Sequence, residues 1–199
     1  MKRSFFSKLI FSIFLIASPA AGAAPDLLFA TDFSQACRIL KAEKPVSGTF
    51  TQKRFIAASN KTLKATGIFT ASSEKILWET QKPFKNTLTI TAQSITQTDS
   101  KGNSLILEEK ENQTFALISK MMATLFSGNQ KELEEYFETA FTGKENDSWI
   151  MELKPKDSKI SSVMKLIELC GNAHFMTSMK TVQKNGDYLL YEFENQIEN

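Results

Sequence analysis

Apolar and polar residues alternate with a period of two through most of 46–91. Val46, Gly48 and Phe50 fall on one side of a first segment, and Leu63, Ala65, Gly67 and Phe69 on one side of a second. Ile76 with Trp78, then Leu88 with Ile90, continue the series. A two-residue period places alternate side chains on opposite faces of a strand, so the pattern predicts four successive strands. The intervening positions, Thr49, Thr51, Lys53, Lys64, Thr66, Thr70, Glu79, Thr87 and Thr89, form the polar face of an antiparallel sheet wetted on one side. Threonine suits that face because it is both β-branched and polar. Segments 93–99 and 103–109 extend the sheet across the Lys101-Gly102 turn. After Gly143, the segments 149–153, 163–169, 175–182 and 189–193 are further strand candidates, the last two joined by a two-residue hairpin turn at Asn185-Gly186.

Two stretches follow a helical period instead. Asp32 and Gln35 resemble a capping box, and Phe33, Ala36, Cys37 and Leu40 recur at helical spacing until Pro45, which predicts a helix over 32–44. In 112–127, Phe115, Leu117, Ile118, Met121, Met122, Leu125 and Phe126 span an arc of about 180°, where about 100° suffices to pack one side of a surface helix. Gly128 stands where a left-handed cap ends such a helix. The surplus apolar arc fits either a helix wedged between two layers of core or one lining a cavity, in which methionine adapts to irregular contents. Segment 131–138 reads as a short, solvated helical turn with no assigned role.

Composition changes the picture at the N-terminus. Lys2, Arg3 and Lys8 precede an apolar run over 9–17, and Ala21-Gly22-Ala23 has the small-residue pattern of a signal-peptidase site. Export with cleavage after Ala23 is expected, leaving residues 24–199 as one domain, soluble in the periplasm. Ala24 and Pro25 follow the cut, so no cysteine is placed there for lipid attachment. Loss of the leader turns the net charge of +2 into −1, with 21 basic against 22 acidic residues. Interspersed charges near neutrality argue against a broad footprint for nucleic acid or an anionic membrane surface.

The residues offer little chemistry. His174 is the sole histidine and is expected on a strand beside Phe175; the glycine-rich, nucleophile-elbow and zinc-binding motifs of enzymes are missing from the sequence. Carboxylate clusters such as Glu108-Glu109 read as solvating, so no catalytic residue, metal or cofactor is expected. Cys37 and Cys170 either bridge in an oxidising compartment or stay as two buried thiols. Since a helix carrying Cys37 must pack on some strand, the two are expected to lie close, within reach of a disulfide.

Short motifs carry a resemblance: Phe50-Thr51-Gln52-Lys53, Gly67, Trp78 with Pro83 after it, and Leu153-Lys154-Pro155-Lys156. With the run of helix, sheet, helix, sheet, the chain resembles the periplasmic outer-membrane lipoprotein carriers, LolA and its relatives. The resemblance implies an unclosed, strongly bent antiparallel β-barrel whose concave apolar face is covered by helices, an α+β fold dominated by strands. It implies a monomeric carrier that takes acylated lipoproteins from an inner-membrane transporter and passes them to an outer-membrane acceptor. Val46, Phe50, Phe69, Ile76, Trp78, Leu88 and Ile90 would line the cavity, with Met121, Met122, Leu125 and Phe126 facing them. The chain departs from that pattern at Ser72-Ser73-Glu74-Lys75, where the best-known carriers have a lid-bonding arginine, and at Ile76, where they have an aromatic. A carrier of another lipid or acyl product, or a lipid-sensing regulatory module on the same fold, therefore stays open.

Overall fold

The structure is a computed structural model that describes residues 32–41, 44–72, 75–91, 94–108, 124, 128–145 and 147–198. Helix α1 (Phe33–Leu40) starts at Asp32, whose carboxylate accepts a hydrogen bond from the Gln35 amide at 2.8 Å. It ends four residues earlier than the sequence suggests, capped by Lys41, whose extended backbone (φ −76°, ψ 111°) turns the chain out of the helix while its N–H donates to the Arg38 carbonyl. Strands β1 (Val46–Ile56), β2 (Lys61–Ala71), β3 (Lys75–Lys82) and β4 (Asn86–Thr91) form the expected meander, continued by β5 (Ser94–Asp99) and β6 (Ser104–Glu108). Then come α2 (Gln130–Tyr136), β7 (Phe137–Gly143), β8 (Trp149–Pro155), the single turn α3 (Ser158–Ser161), β9 (Met164–Gly171), β10 (Met176–Gln183) and β11 (Tyr188–Glu198).

These strands make one antiparallel sheet in the order β6-β5-β4-β3-β2-β1-β11-β10-β9-β8-β7. The chain's first and last strands, β1 and β11, pair along most of their length, whereas the edge strands β6 and β7 each have one partner. The barrel is therefore unclosed. Its bend is visible in the side chains. Trp78 on β3 and Tyr191 on β11 are three strands apart, about 14 Å in a flat sheet, yet their ring centroids are 5.2 Å apart. Only a face folded inward brings them together.

Three details differ from the sequence reading. The stretch around 131–138 is not merely solvated: α2 inserts Leu133 fully into the core, and its Glu138 already belongs to β7, a strand not anticipated. The β10–β11 connection is a three-residue loop, not a two-residue turn. Gly186 N–H donates to the Gln183 carbonyl and Gln183 N–H to the Asp187 carbonyl, with Gly186 alone left-handed at φ +86°. His174 is exposed in the β9–β10 turn, where its amide donates to Asn172 Oδ1, and is not part of a strand. The helix expected over 112–127 lies outside the described residues except for Thr124, which is helical and buried. Gly128 takes the expected left-handed conformation, at φ +63°.

Candidate functional site

Seven of the residues singled out from the sequence meet on the concave face. Val46, Phe50, Phe69, Ile76, Trp78, Leu88 and Ile90 are all buried there. Register explains why. Phe69 pairs with Trp78 and Trp78 with Leu88, while Ile76 pairs with Ile90 and Ile90 with Ile95, so each row continues across strands without changing face. Leu63, placed on the same side by periodicity, instead lies 53% exposed near the tip of β2, beyond the end of the core. The four residues expected to face this surface, Met121, Met122, Leu125 and Phe126, lie outside the described residues.

The centre of the face is an aromatic cluster. The Trp78 centroid lies 4.4 Å from Phe50, 5.4 Å from Phe69 and 5.8 Å from Phe193, and Phe50 is 5.9 Å from Tyr191. Gly67 makes this packing possible. A Cβ at that position would sit 2.7 Å from Phe50 Cε1 and would also collide with the Glu79 carbonyl. Tyr191 and Phe193 were absent from the residues assigned to the face by sequence, although they stand at alternate positions of the predicted 189–193 strand. The signal that would have added them is the pairing of β11 with β1, which sets Phe193 opposite Phe50 and Tyr191 opposite Gln52. That contact spans nearly the whole chain, and local periodicity carries no trace of it.

Polar groups on this face are few, and their settings differ. The Tyr191 hydroxyl donates to Gln52 Oε1 at 3.1 Å, and complete burial pushes its pKa well above the ordinary 10, with the Arg54 charge acting in the opposite direction. The indole N–H of Trp78 is buried and has no hydrogen-bond partner among the described residues. By contrast, Trp149 donates to the Asn172 carbonyl at 3.0 Å. Among the described residues no group of acidic, histidine or cysteine side chains could hold a metal ion. An open hollow of about 810 Å³ lined by Gly143, Lys144, Glu145 and Ser148 lies at the β7–β8 turn, outside the aromatic face and bordered by exposed charges.

The two cysteines are free thiols, so of the two alternatives the sequence leaves open the bridge is not the one formed. Cys37 is buried on the core side of α1, and burial, followed by the nearby charges of Glu134 and Asp32, pushes its thiol up to about 12. Cys170 follows buried Leu169 and precedes buried Gly171, so strand alternation turns it to the convex face, where its cross-strand partner is Ser178. Burial raises its pKa too, while a hydrogen bond with Ser178 opposes the rise. A helix resting on the concave side cannot reach a thiol on the convex side.

The model of the family described as outer membrane lipoprotein carrier protein LolA matches residues 42–199. Among solved structures, a LolA superfamily protein from Nitrosomonas europaea aligns at 7% identity over 84% of this chain and 91% of its own, with a TM-score of 0.43. A putative outer membrane lipoprotein-sorting protein domain from Vibrio parahaemolyticus aligns at 9% identity over 84% and 91%, with a TM-score of 0.46. A DUF1329 family protein from Desulfovibrio piger aligns at 11% identity over 85% and 91%, with a TM-score of 0.38. No curated protein matches the chain by sequence.

Proposed function

Since the chain belongs to the LolA family of outer membrane lipoprotein carriers, we propose that it binds the acyl chains of lipoproteins on its concave face and ferries them across the periplasm, from an inner-membrane transporter to an outer-membrane acceptor. The observation that carries this reading is the row of aromatic and aliphatic side chains, Phe50, Phe69, Trp78, Leu88, Ile90, Tyr191 and Phe193, gathered on the inner side of a sheet whose edges do not meet. An unclosed sheet can widen to admit a chain of CH₂ groups, and apolar burial supplies the grip at about 25 cal/mol per Å² before ordering costs. Catalysis has no part in the reading: among the described residues the polar side chains on this face, such as Gln52, Arg54, Gln97, Thr181 and Tyr191, include no nucleophile paired with a base. The signal sequence read in residues 1–23 supports a periplasmic location. Among the described residues no helix is long and apolar enough to cross a membrane.

The test is mass spectrometry of what co-purifies with the protein from the periplasm, together with titration of a fluorescent acyl probe. Acylated proteins in the bound fraction are expected. Recovery of free acyl product or phospholipid alone would reassign the cargo, and absence of both bound lipid and probe binding would remove the carrier reading. W78D should abolish probe binding by placing an ion in an apolar site. Circular dichroism is run alongside, so that a folded variant that still binds counts against the site.

A further inference from the structure

Charges that alternate along the sequence segregate in space. In this all-antiparallel sheet the β1–β2, β3–β4, β5–β6 and β10–β11 turns lie at the same end of the strands as successive neighbours, with the β8–β9 connection, which carries Lys156, Asp157 and Lys159, next in line beyond them. Two strand widths separate each from the next, about 10 Å, so the four tips form a rim about 30 Å long. Segments 57–64, 81–85, 99–103 and 184–187 bring six lysines to it: Lys61, Lys64, Lys82, Lys85, Lys101 and Lys184, all exposed. The acidic residues in those segments are Asp99 and Asp187, and both carboxylates are engaged by backbone amides. Asp99 accepts from Lys101 and Asn103 at 2.8 and 2.9 Å, and Asp187 accepts from Ala57 at 2.8 Å. Among the described residues none of the six lysines forms an ion pair.

An apolar tip stands in the middle of this charge. Phe84, between Lys82-Pro83 and Lys85, is 76% exposed, in a protein that buries Phe50, Phe69, Phe137 and Phe193 almost completely, and Leu63 is half exposed on the neighbouring turn. At the opposite end of the strands the signs are mixed: Lys144 stands beside Glu145 and Asp147, and Lys44 pairs with Glu198 at 3.5 Å.

We propose that this rim docks on an anionic phospholipid surface, with Phe84 entering the headgroup boundary and the lysines lying over lipid phosphates. A lysine near an anionic leaflet gains attraction that decays within a Debye length, and an aromatic side chain among cations settles at the level of the headgroups. A fluid bilayer is the favoured partner because the lysines are spread over four separate turns along about 30 Å. Mobile lipid headgroups can gather beneath such an array, whereas a protein partner would need fixed acids at matching points.

The experiment is co-sedimentation of the purified protein with vesicles of phosphatidylethanolamine and phosphatidylglycerol, against vesicles of phosphatidylcholine, at low and high salt. Binding is expected on the anionic vesicles only, and high salt should release it. F84S should weaken it at least ten-fold, and K82Q/K85Q about 25-fold, near five-fold per lysine. Both variants should bind the fluorescent acyl probe as the wild type does. The indole introduced by F84W should shift to the blue on anionic vesicles and not on phosphatidylcholine. Wild-type protein that ignores anionic vesicles, or variants that sediment equally well, would overturn the proposal. Equal loss of vesicle and acyl-probe binding in F84S would assign the contact to the concave face and overturn it as well.

Discussion

Two buried tryptophans with different surroundings give a controlled comparison of what a hydrogen bond contributes. Trp149 donates to the Asn172 carbonyl, whereas the Trp78 N–H has no acceptor among the described residues. W149F removes ring volume and also strands a carbonyl, while W78F removes similar volume together with a donor that burial already penalises. Urea denaturation should therefore find W149F more destabilising than W78F by about 1–3 kcal/mol. The cysteines differ by exposure of their faces. A thiol reagent at pH 8 should modify Cys170 first and Cys37 only on unfolding, with two reactive thiols in the denatured chain. Cys37 also leaves a mark on the pH profile. Its folded pKa is raised from 9.0 to about 12, so its contribution to stability is complete below pH 9 and is lost as pH climbs toward 12. C37A should flatten that part of the stability curve.

At the level of elements, the sheet depends on positions where a side chain must be missing. Gly67 faces Phe50 across the β1–β2 pair, and a methyl group there would force the ring or the Glu79 carbonyl aside. G67A should cost about 1–3 kcal/mol, the range of overpacked cores, and should lower acyl-probe affinity in parallel because the aromatic cluster is displaced. The meander β1–β4 was legible in the sequence because one face is apolar and the other wet, and alternation reports that contrast directly. Strand β7 was not. Its pattern, Phe137, Thr139, Phe141, is half polar as suits an edge, and it follows without a break from the charged helix α2, whose last residue is Tyr136. Between the two cysteine alternatives a finer point of the same kind decides. Sequence places Cys170 at the end of a strand, but which face it takes depends on a single residue of register. The half of the site from β11 was hidden because Tyr191 and Phe193 join Phe50 through a pairing between the first and last strands.

For the whole molecule, the concave face and the lysine rim should answer to different variables. Acyl chains on the inner surface meet carbon, so affinity should climb with chain length at about 0.8 kcal/mol for each CH₂ removed from water, near four-fold per carbon. The climb should stop when the chain outgrows the face. Salt should leave it almost unchanged, since the acyl chain carries no charge for Arg54, the charged side chain beside Tyr191, to attract, and screening acts between charges. Displacement of the fluorescent probe by saturated acyl glycerols of increasing length, at low and high salt, measures both trends in one series. A flat response to length would mean that the aromatic cluster is closed core and the chains bind elsewhere. A strong salt response would mean that the probe reports the lysine turns and not the inner surface. The unclosed edge gives a third expectation. A flexible bifunctional cross-linker joining cysteines placed on β6 and β7, in a chain with Cys37 and Cys170 replaced, would cap how far the edges part, and cross-linking should slow probe entry and exit more than it changes affinity, because it restricts widening.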